Sequence, residues 1–221
     1  MPAPVVTLAL VGLGAVGGIV AAIWLRGRGY RRDDDELHHS LPVAAVPILS
    51  TLLSVPVAVL RADEPIVAGL LVVAVVWFVV LGFIDIEVRR LPDRLVLPGY
   101  AVALAGLAAA AWSSGAGEAL VRSVACGAIA FAGYLALALI GAGRSGLGLG
   151  DVKLAGVLGL LLGWSGWLVA ALGMLSGFVV GGLVAGFLLV ARRSDRRSHM
   201  PFGPAMLIGA YLWLCLPNLS A

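Results

Sequence analysis

An α-helical membrane bundle is the fold class predicted for this 221-residue chain, and three observations predict it. The residues are 61% hydrophobic and only 12% charged, whereas a soluble domain is about half apolar and about a quarter charged. The apolar residues form long runs of spanning length. The charges fall mostly in the gaps between those runs. So little polar surface cannot cover a water-soluble globule. An open sheet in hydrocarbon would leave its amides unpaired, and the runs are too long and uniform for the alternating strands of an outer-membrane barrel. A polytopic all-α bundle remains.

A spanning helix needs about 20 apolar residues, and eight segments qualify in turn. The first is 4–25; Val5 to Leu25 lacks a positive region ahead of it, which favours a membrane helix over a cleavable signal. The second, 42–60, has Pro42 near its start. The third, 66–84, ends at Gly82-Phe83-Ile84. The fourth and fifth are 95–112 and 119–141. The sixth, 152–165, is short, and only Gly163-Trp164-Ser165-Gly166 divides it from the seventh, 167–191. A single bent re-entrant element is the alternative there. The eighth is 203–217.

The loops support this count. Those after helices 1, 3, 5 and 7 carry Arg26, Arg28, Arg31 and Arg32; Arg89, Arg90 and Arg94; Arg144 with Lys153 just beyond; and Arg192, Arg193, Arg196 and Arg197. Thirteen of the 15 basic residues thus fall on one side, and only Arg61 and Arg122 on the other. By the positive-inside rule the basic side is cytoplasmic and both termini lie outside. The expected organisation is one membrane domain over 1–221, with 26–41 as a cytoplasmic loop.

Several features read as structural. Cys126 and Cys215 sit in apolar runs, with no Cys-x-x-Cys or metal knuckle, and act as small hydrophobes. The run Asp33-Asp34-Asp35-Glu36-Leu37-His38-His39 reads as a solvated loop. Gly177-x3-Gly181 and Gly182-x3-Gly186 have close-packing spacing on helix 7.

Ionisable residues at membrane depth are costly, so each needs a reason. Asp85 follows an unbroken apolar run at the end of helix 3, where its carboxyl is partly desolvated. Glu87 stands two residues on. Pro92 disfavours helix just before it, so a turn follows, and Asp93 is placed to N-cap helix 4. In Gly146-Leu147-Gly148-Leu149-Gly150-Asp151-Val152-Lys153 the glycines let the backbone turn and another segment approach. Asp151 opens helix 6, where an N-cap at the positive end of the helix dipole is the structural reading.

Paired carboxylates suit peptide hydrolysis. Two acids held close share a proton. The ionised one takes a proton from a water, and the neutral one donates to the scissile carbonyl. The proton belongs to the pair, so neither residue has a fixed role. No Gly-x-Ser-x-Gly elbow, His-Glu-x-x-His zinc motif or Walker loop is present. No metal, cofactor or nucleic-acid partner is therefore expected.

At these residues the chain resembles the prepilin peptidase family (type IV leader peptidases), aspartic proteases of the Gly-x-Gly-Asp type. The first motif reads Ile84-Asp85, Leu91-Pro92-Asp93 and Leu95-Val96-Leu97-Pro98. The second, Gly-x-Gly-Asp-x-Lys-Leu, reads Gly148 to Leu154 and continues through Ala155, Leu158-Gly159 and Gly163-Trp164. A third echo is Pro201-Phe202-Gly203-Pro204. The resemblance implies Asp85 and Asp151 as the catalytic pair, with Asp93 the rival first member. It gives Asp93, Glu87, Lys153, Gly148 and Gly150 substrate-binding or supporting places. It also implies prepilin or pseudopilin substrates, each a short basic leader followed by an apolar helix, cleaved at the cytoplasmic face of the inner membrane. Glu87, Asp93 and the acids at 33–36 are then expected to attract the leader's positive charges. Longer members carry paired Cys-x-x-Cys motifs and methylate the new N-terminus from S-adenosylmethionine; without such cysteines this chain reads as a short form. The alternative from another class is a small transporter in which the same aspartates carry protons or a cation. Its carboxylates would lie near the bilayer midplane rather than at helix ends.

Overall fold

The computed structural model describes residues 3–32, 35, 41–140, 147–190 and 201–216. The His38-His39 pair, most of the acidic run around it, and Arg144, Arg192, Arg193, Arg196 and Arg197 lie outside the described residues. Eight helices make up the described chain: α1 (Ala3–Arg26), α2 (Ala45–Leu60), α3 (Pro65–Val88), α4 (Asp93–Ser114), α5 (Gly117–Ile140), α6 (Leu149–Gly163), α7 (Trp167–Val190) and α8 (Gly203–Leu214). Five of them (α1, α3, α4, α5 and α7) are long and apolar enough to cross a membrane; α2 and α8 are apolar but shorter. Residues 149–163 and 167–190 are two helices, not one bent element. Gly166, at φ 136°, supplies the left-handed backbone that reverses the chain between them.

Local chemistry explains the boundaries. Pro65 opens α3, where the missing N–H costs nothing. Arg89, at φ 48°, closes it with its N–H on the Asp85 carbonyl at 2.9 Å. Pro92 then holds extended backbone ahead of α4. Gly115, at φ 70°, ends α4 in the usual left-handed cap.

α3 and α6 are the interior helices. α6 is enclosed along nearly its whole length, Val152 and Leu154 to Gly163 among its buried residues, which is why so short a segment needs no lipid-facing stripe. α4, α5, α7 and α8 surround it, and α3 packs on α1, α2, α4 and α8. α5 lies so close to α6 that a Cβ at Gly159 would stand 2.7 Å from the Cys126 carbonyl oxygen. Of the spaced glycines on α7, Gly177 and Gly181 face α8 and the Phe202 ring, whereas Gly182 and Gly186 face open space.

The two basic residues on the minority side are structural. Arg61 is buried and donates to the Leu214 carbonyl (3.3 Å), the Leu216 carbonyl, Glu64 (3.4 Å) and Ser165 (2.5 Å). Arg122 donates to the carbonyls of Gly163 (2.8 Å) and Trp164 (2.6 Å). Each guanidinium satisfies carbonyls that a helix C-terminus leaves without intrahelical partners.

Candidate active site

Asp85 lies one turn before the end of α3. The helix was expected to stop at residue 84 but continues to Val88, because Ile84, Glu87 and Val88 are all buried against neighbouring segments. The Asp85 side chain is only 4% exposed. Its Oδ2 accepts the backbone N–H of Gly203, at the first turn of α8, at 3.1 Å. A Cβ at Gly203 would stand 2.6 Å from that oxygen, so this approach requires glycine.

Asp151 is not the N-cap of α6. Gly148 holds that position, and Asp151 is the third residue of the first turn, 8% exposed, its Oδ2 accepting the Gly148 N–H at 3.0 Å. This is the acidic half of a capping box, and a carboxylate there also meets the positive end of the helix dipole. Gly148 has φ −81° and ψ 156°, extended backbone that any residue adopts, so the turn does not depend on it. Gly150 is different: a Cβ there would sit 3.0 Å from Cβ of Leu91.

α3 and α6 run antiparallel, so a carboxyl near the C-terminus of one and a carboxyl near the N-terminus of the other reach the same end of the bundle. Asp85 and Asp151 stand there within electrostatic range of each other. Leu91, buried in the turn between α3 and α4, sits between Gly150, the neighbour of Asp151, and Gly203, the donor to Asp85. Its backbone and Cβ press on Gly150, and its Cδ1 would lie 3.5 Å from a Cβ at Gly203. Tyr134 of α5 comes within electrostatic range of Asp151 from another side.

Three other described acids on the loops and helix ends near this site, Asp93, Glu87 and Asp35, are engaged by the protein itself. Asp93 makes no capping bond; Pro92 occupies the N-cap of α4. Its carboxylate takes Lys153 Nζ at 2.7 and 2.8 Å, an ion pair with side chains 56% and 31% exposed. Lys153 is therefore bound to Asp93 rather than to Asp151. Glu87 is 2% exposed, accepts the Tyr30 hydroxyl at 2.5 Å and pairs with Arg31. Burial first, and the hydrogen bond to Glu87 second, raise the Tyr30 phenol above its ordinary value, so it remains a donor. Asp35 pairs with Arg90 at 2.7 Å. Glu87 is thus not a free surface acid awaiting a basic leader, as expected from its place in the sequence. It ties the segment after α1 onto the end of α3.

The family model for the type IV leader peptidase family matches residues 72–191, which contain Asp85, Asp93 and Asp151. The chain belongs to this family. Curated relatives of the type IV leader peptidase family named prepilin leader peptidase/N-methyltransferase include those of Pseudomonas putida (33% identical over 153 residues, 66% of this chain and 49% of the relative), Aeromonas hydrophila (31% over 201 residues, 89% and 64%) and Dichelobacter nodosus (32% over 168 residues, 76% and 55%). The chain therefore spans about half to two thirds of the length of these relatives. No solved structure matches it significantly. Family membership and the apolar helices together make this an integral membrane protein.

Sequence reading missed two parts of the site. Leu91 was visible only as a letter in Leu-Pro-Asp, and its position between two glycines 59 and 112 residues away has no linear signal. The Tyr30–Glu87 contact, 57 residues apart, has none either. Gly203 did carry a signal, the Pro-Phe-Gly-Pro repeat of turn formers before α8.

Proposed function

We propose that this protein is an intramembrane aspartic endopeptidase that removes the basic leader from prepilin-like or pseudopilin substrates, with Asp85 and Asp151 as its catalytic pair. The observation that carries this reading is the convergence of two buried carboxyls, from two antiparallel interior helices, on one end of a membrane bundle. Family membership supplies the reaction class.

One carboxyl, ionised, takes a proton from the attacking water. The other, protonated, donates to the scissile carbonyl and stabilises the oxyanion as it forms. The pair holds one proton between its members, and the roles exchange as the leaving amine is protonated. The Gly203 N–H orients Asp85, and the Gly148 N–H orients Asp151. Leu91 keeps apolar bulk between Gly150, beside Asp151, and Gly203, which donates to Asp85. Peptide cleavage, not methylation, is the activity these residues account for.

The carboxyls work at the cytoplasmic face of the inner membrane. Arg26, Arg89, Arg90, Arg94 and Lys153 cluster at their end of the sequence topology, whereas Arg61 and Arg122 lie at the other. A basic leader there meets Asp93 as an exposed acid, in competition with Lys153. The whole chain acts as one membrane domain.

Co-expression of a prepilin with wild type, Asp85→Asn, Asp151→Asn and Asp93→Asn tests the reading by the mobility of the substrate on a gel. Leader removal is lost in the first two variants and kept in the third. Complete cleavage by the Asp151→Asn variant overturns it.

A further inference from the structure

A groove of about 390 Å³ runs between α2, α3 and α8. Its lining includes Leu49 of α2, Phe83 and Ile86 of α3, and Pro204 and Ile208 of α8. Leu49 and Ile208 are about half exposed, at 46% and 50%. The groove ends on the turn of α3 that carries Asp85 and on Pro204, the neighbour of the glycine that donates to Asp85.

Its two walls belong to different helix pairs. α2 is fastened to α1, where a Cβ at Gly18 would stand 2.8 Å from Pro47 Cα and 2.8 Å from Ser50 Cβ. α8 is fastened to α7, with Gly209 on the backbone of Ser176 and Gly177. Among the described residues, the hydrogen bonds that join the α2 side to the α8 side all lie in the half remote from the aspartates. They run from the Tyr211 hydroxyl to the Leu53 carbonyl at 3.0 Å and from Arg61 to the carbonyls of Leu214 and Leu216. Among the described residues the two walls are pinned to each other by hydrogen bonds at the remote end and by none at the end next to Asp85.

We propose that this groove receives the apolar helix of the substrate, N-terminus toward Asp85. The inference rests on the peptidase reading and names where its substrate lies. In hydrocarbon the occupant must satisfy its own backbone, which selects a helix. The hydroxyl in the lining, that of Tyr211, is already engaged. Beside the end formed by Phe83, Ile86 and Pro204 stands the Asp85 carboxyl, which favours the positive, N-terminal end of a helix. That orientation leaves the last non-helical peptide bond ahead of the apolar segment beside the aspartates, where a leader that precedes the helix must be cut. Pro204 to Leu212 covers about 12 Å of helix rise, so the groove grips roughly the first two turns of the substrate helix. A second groove of similar volume, lined by Leu13, Val20, Trp24 and Val76, approaches α3 only as far as Val80 and serves as the internal control.

The test uses the full chain in membranes and a synthetic substrate with a lysine-rich leader and an apolar helix of about 20 residues. Photo-crosslinking side chains are placed at Leu49 or Ile208, and at Leu13 or Val20 as controls. Substrate adducts form from the first two positions and not from the controls. Filling the groove by Ile208→Trp raises KM about fivefold or more with kcat within about twofold, the pattern of lost uniform binding, while Leu13→Trp leaves KM unchanged. Adducts from Leu49 and Ile208 to lipid alone or to a second copy of the chain, substrate adducts favouring the controls, or an unchanged KM in Ile208→Trp each overturn the proposal. All of these leave the peptidase reading standing as long as wild type cleaves. Failure of wild type to cleave any leader-bearing substrate, or cleavage by Asp151→Asn, overturns the peptidase reading and this inference with it.

Discussion

The backbone N–H of Gly203 donates to Oδ2 of Asp85 at 3.1 Å, joining the first turn of α8 to a carboxyl 118 positions earlier. The bond engages one oxygen of the carboxyl and leaves the other outside it. It also brings α8, outside the residues matched by the family model, into the candidate site.

Gly203→Ala is the direct test of that bond. The added Cβ would come within 2.6 Å of Oδ2, so either α8 or the carboxyl must move. Misplacement of about 1 Å in a catalytic group costs up to about a hundredfold in rate. The expected result is a kcat lower by about ten- to a hundredfold, with the melting temperature in detergent little changed. An unchanged kcat shows that the Asp85–Gly203 contact has no part in turnover.

Asp93 and Lys153 form an exposed pair, and exposed pairs are worth about 0–1 kcal/mol. Asp93→Asn and Lys153→Met should each leave stability within that range, with a coupling energy that shrinks as salt is added. Cleavage should stay within a fewfold of wild type. A loss beyond about a hundredfold in Asp93→Asn would transfer the first catalytic place from Asp85 to Asp93.

Glu87 is buried with Tyr30 and Arg31 as its partners. Truncating one member of such a pair leaves an uncompensated charge, at a cost of about 3–5 kcal/mol. Glu87→Ala should therefore lower stability by an amount of that order in a denaturant titration. Glu87→Gln should lose less, since its amide carbonyl still accepts from Tyr30. Equal losses in the two variants would mean that the Tyr30 hydrogen bond contributes nothing.

Arg61 satisfies two carbonyls, a hydroxyl and a carboxylate while almost fully enclosed. Arg61→Ala should destabilise by at least about 2 kcal/mol, since each buried acceptor left unpaired costs about 1–3 kcal/mol. Arg61→Lys should recover little, because an ammonium does not reproduce the guanidinium fork. Full recovery by lysine would reduce the site to a simple charge.

Transfer of side chains between water and hydrocarbon is a local property, and what depends on it was legible in the chain. The eight helices, their order and the asymmetric spread of arginines follow from apolar runs and punctuation such as Pro92 and Gly115. The Gly-x-Gly-Asp and Leu-Pro-Asp motifs were visible for the same reason: charge and backbone breakers stand out against an apolar background. Which face of each helix turns inward was not legible. A segment apolar all round, as α3 and α6 are, carries no period that names its partner. Only packing made Asp85 a buried residue and Asp93 an exposed one eight positions later, seated Leu91 between Gly150 and Gly203, and closed Glu87 beneath Tyr30 and Arg31. Those relationships join residues far apart in sequence. They are decided by which pairs of nearly uniform helices can approach closely, and that approach depends on small residues such as Gly150 and Gly203 meeting the right neighbour.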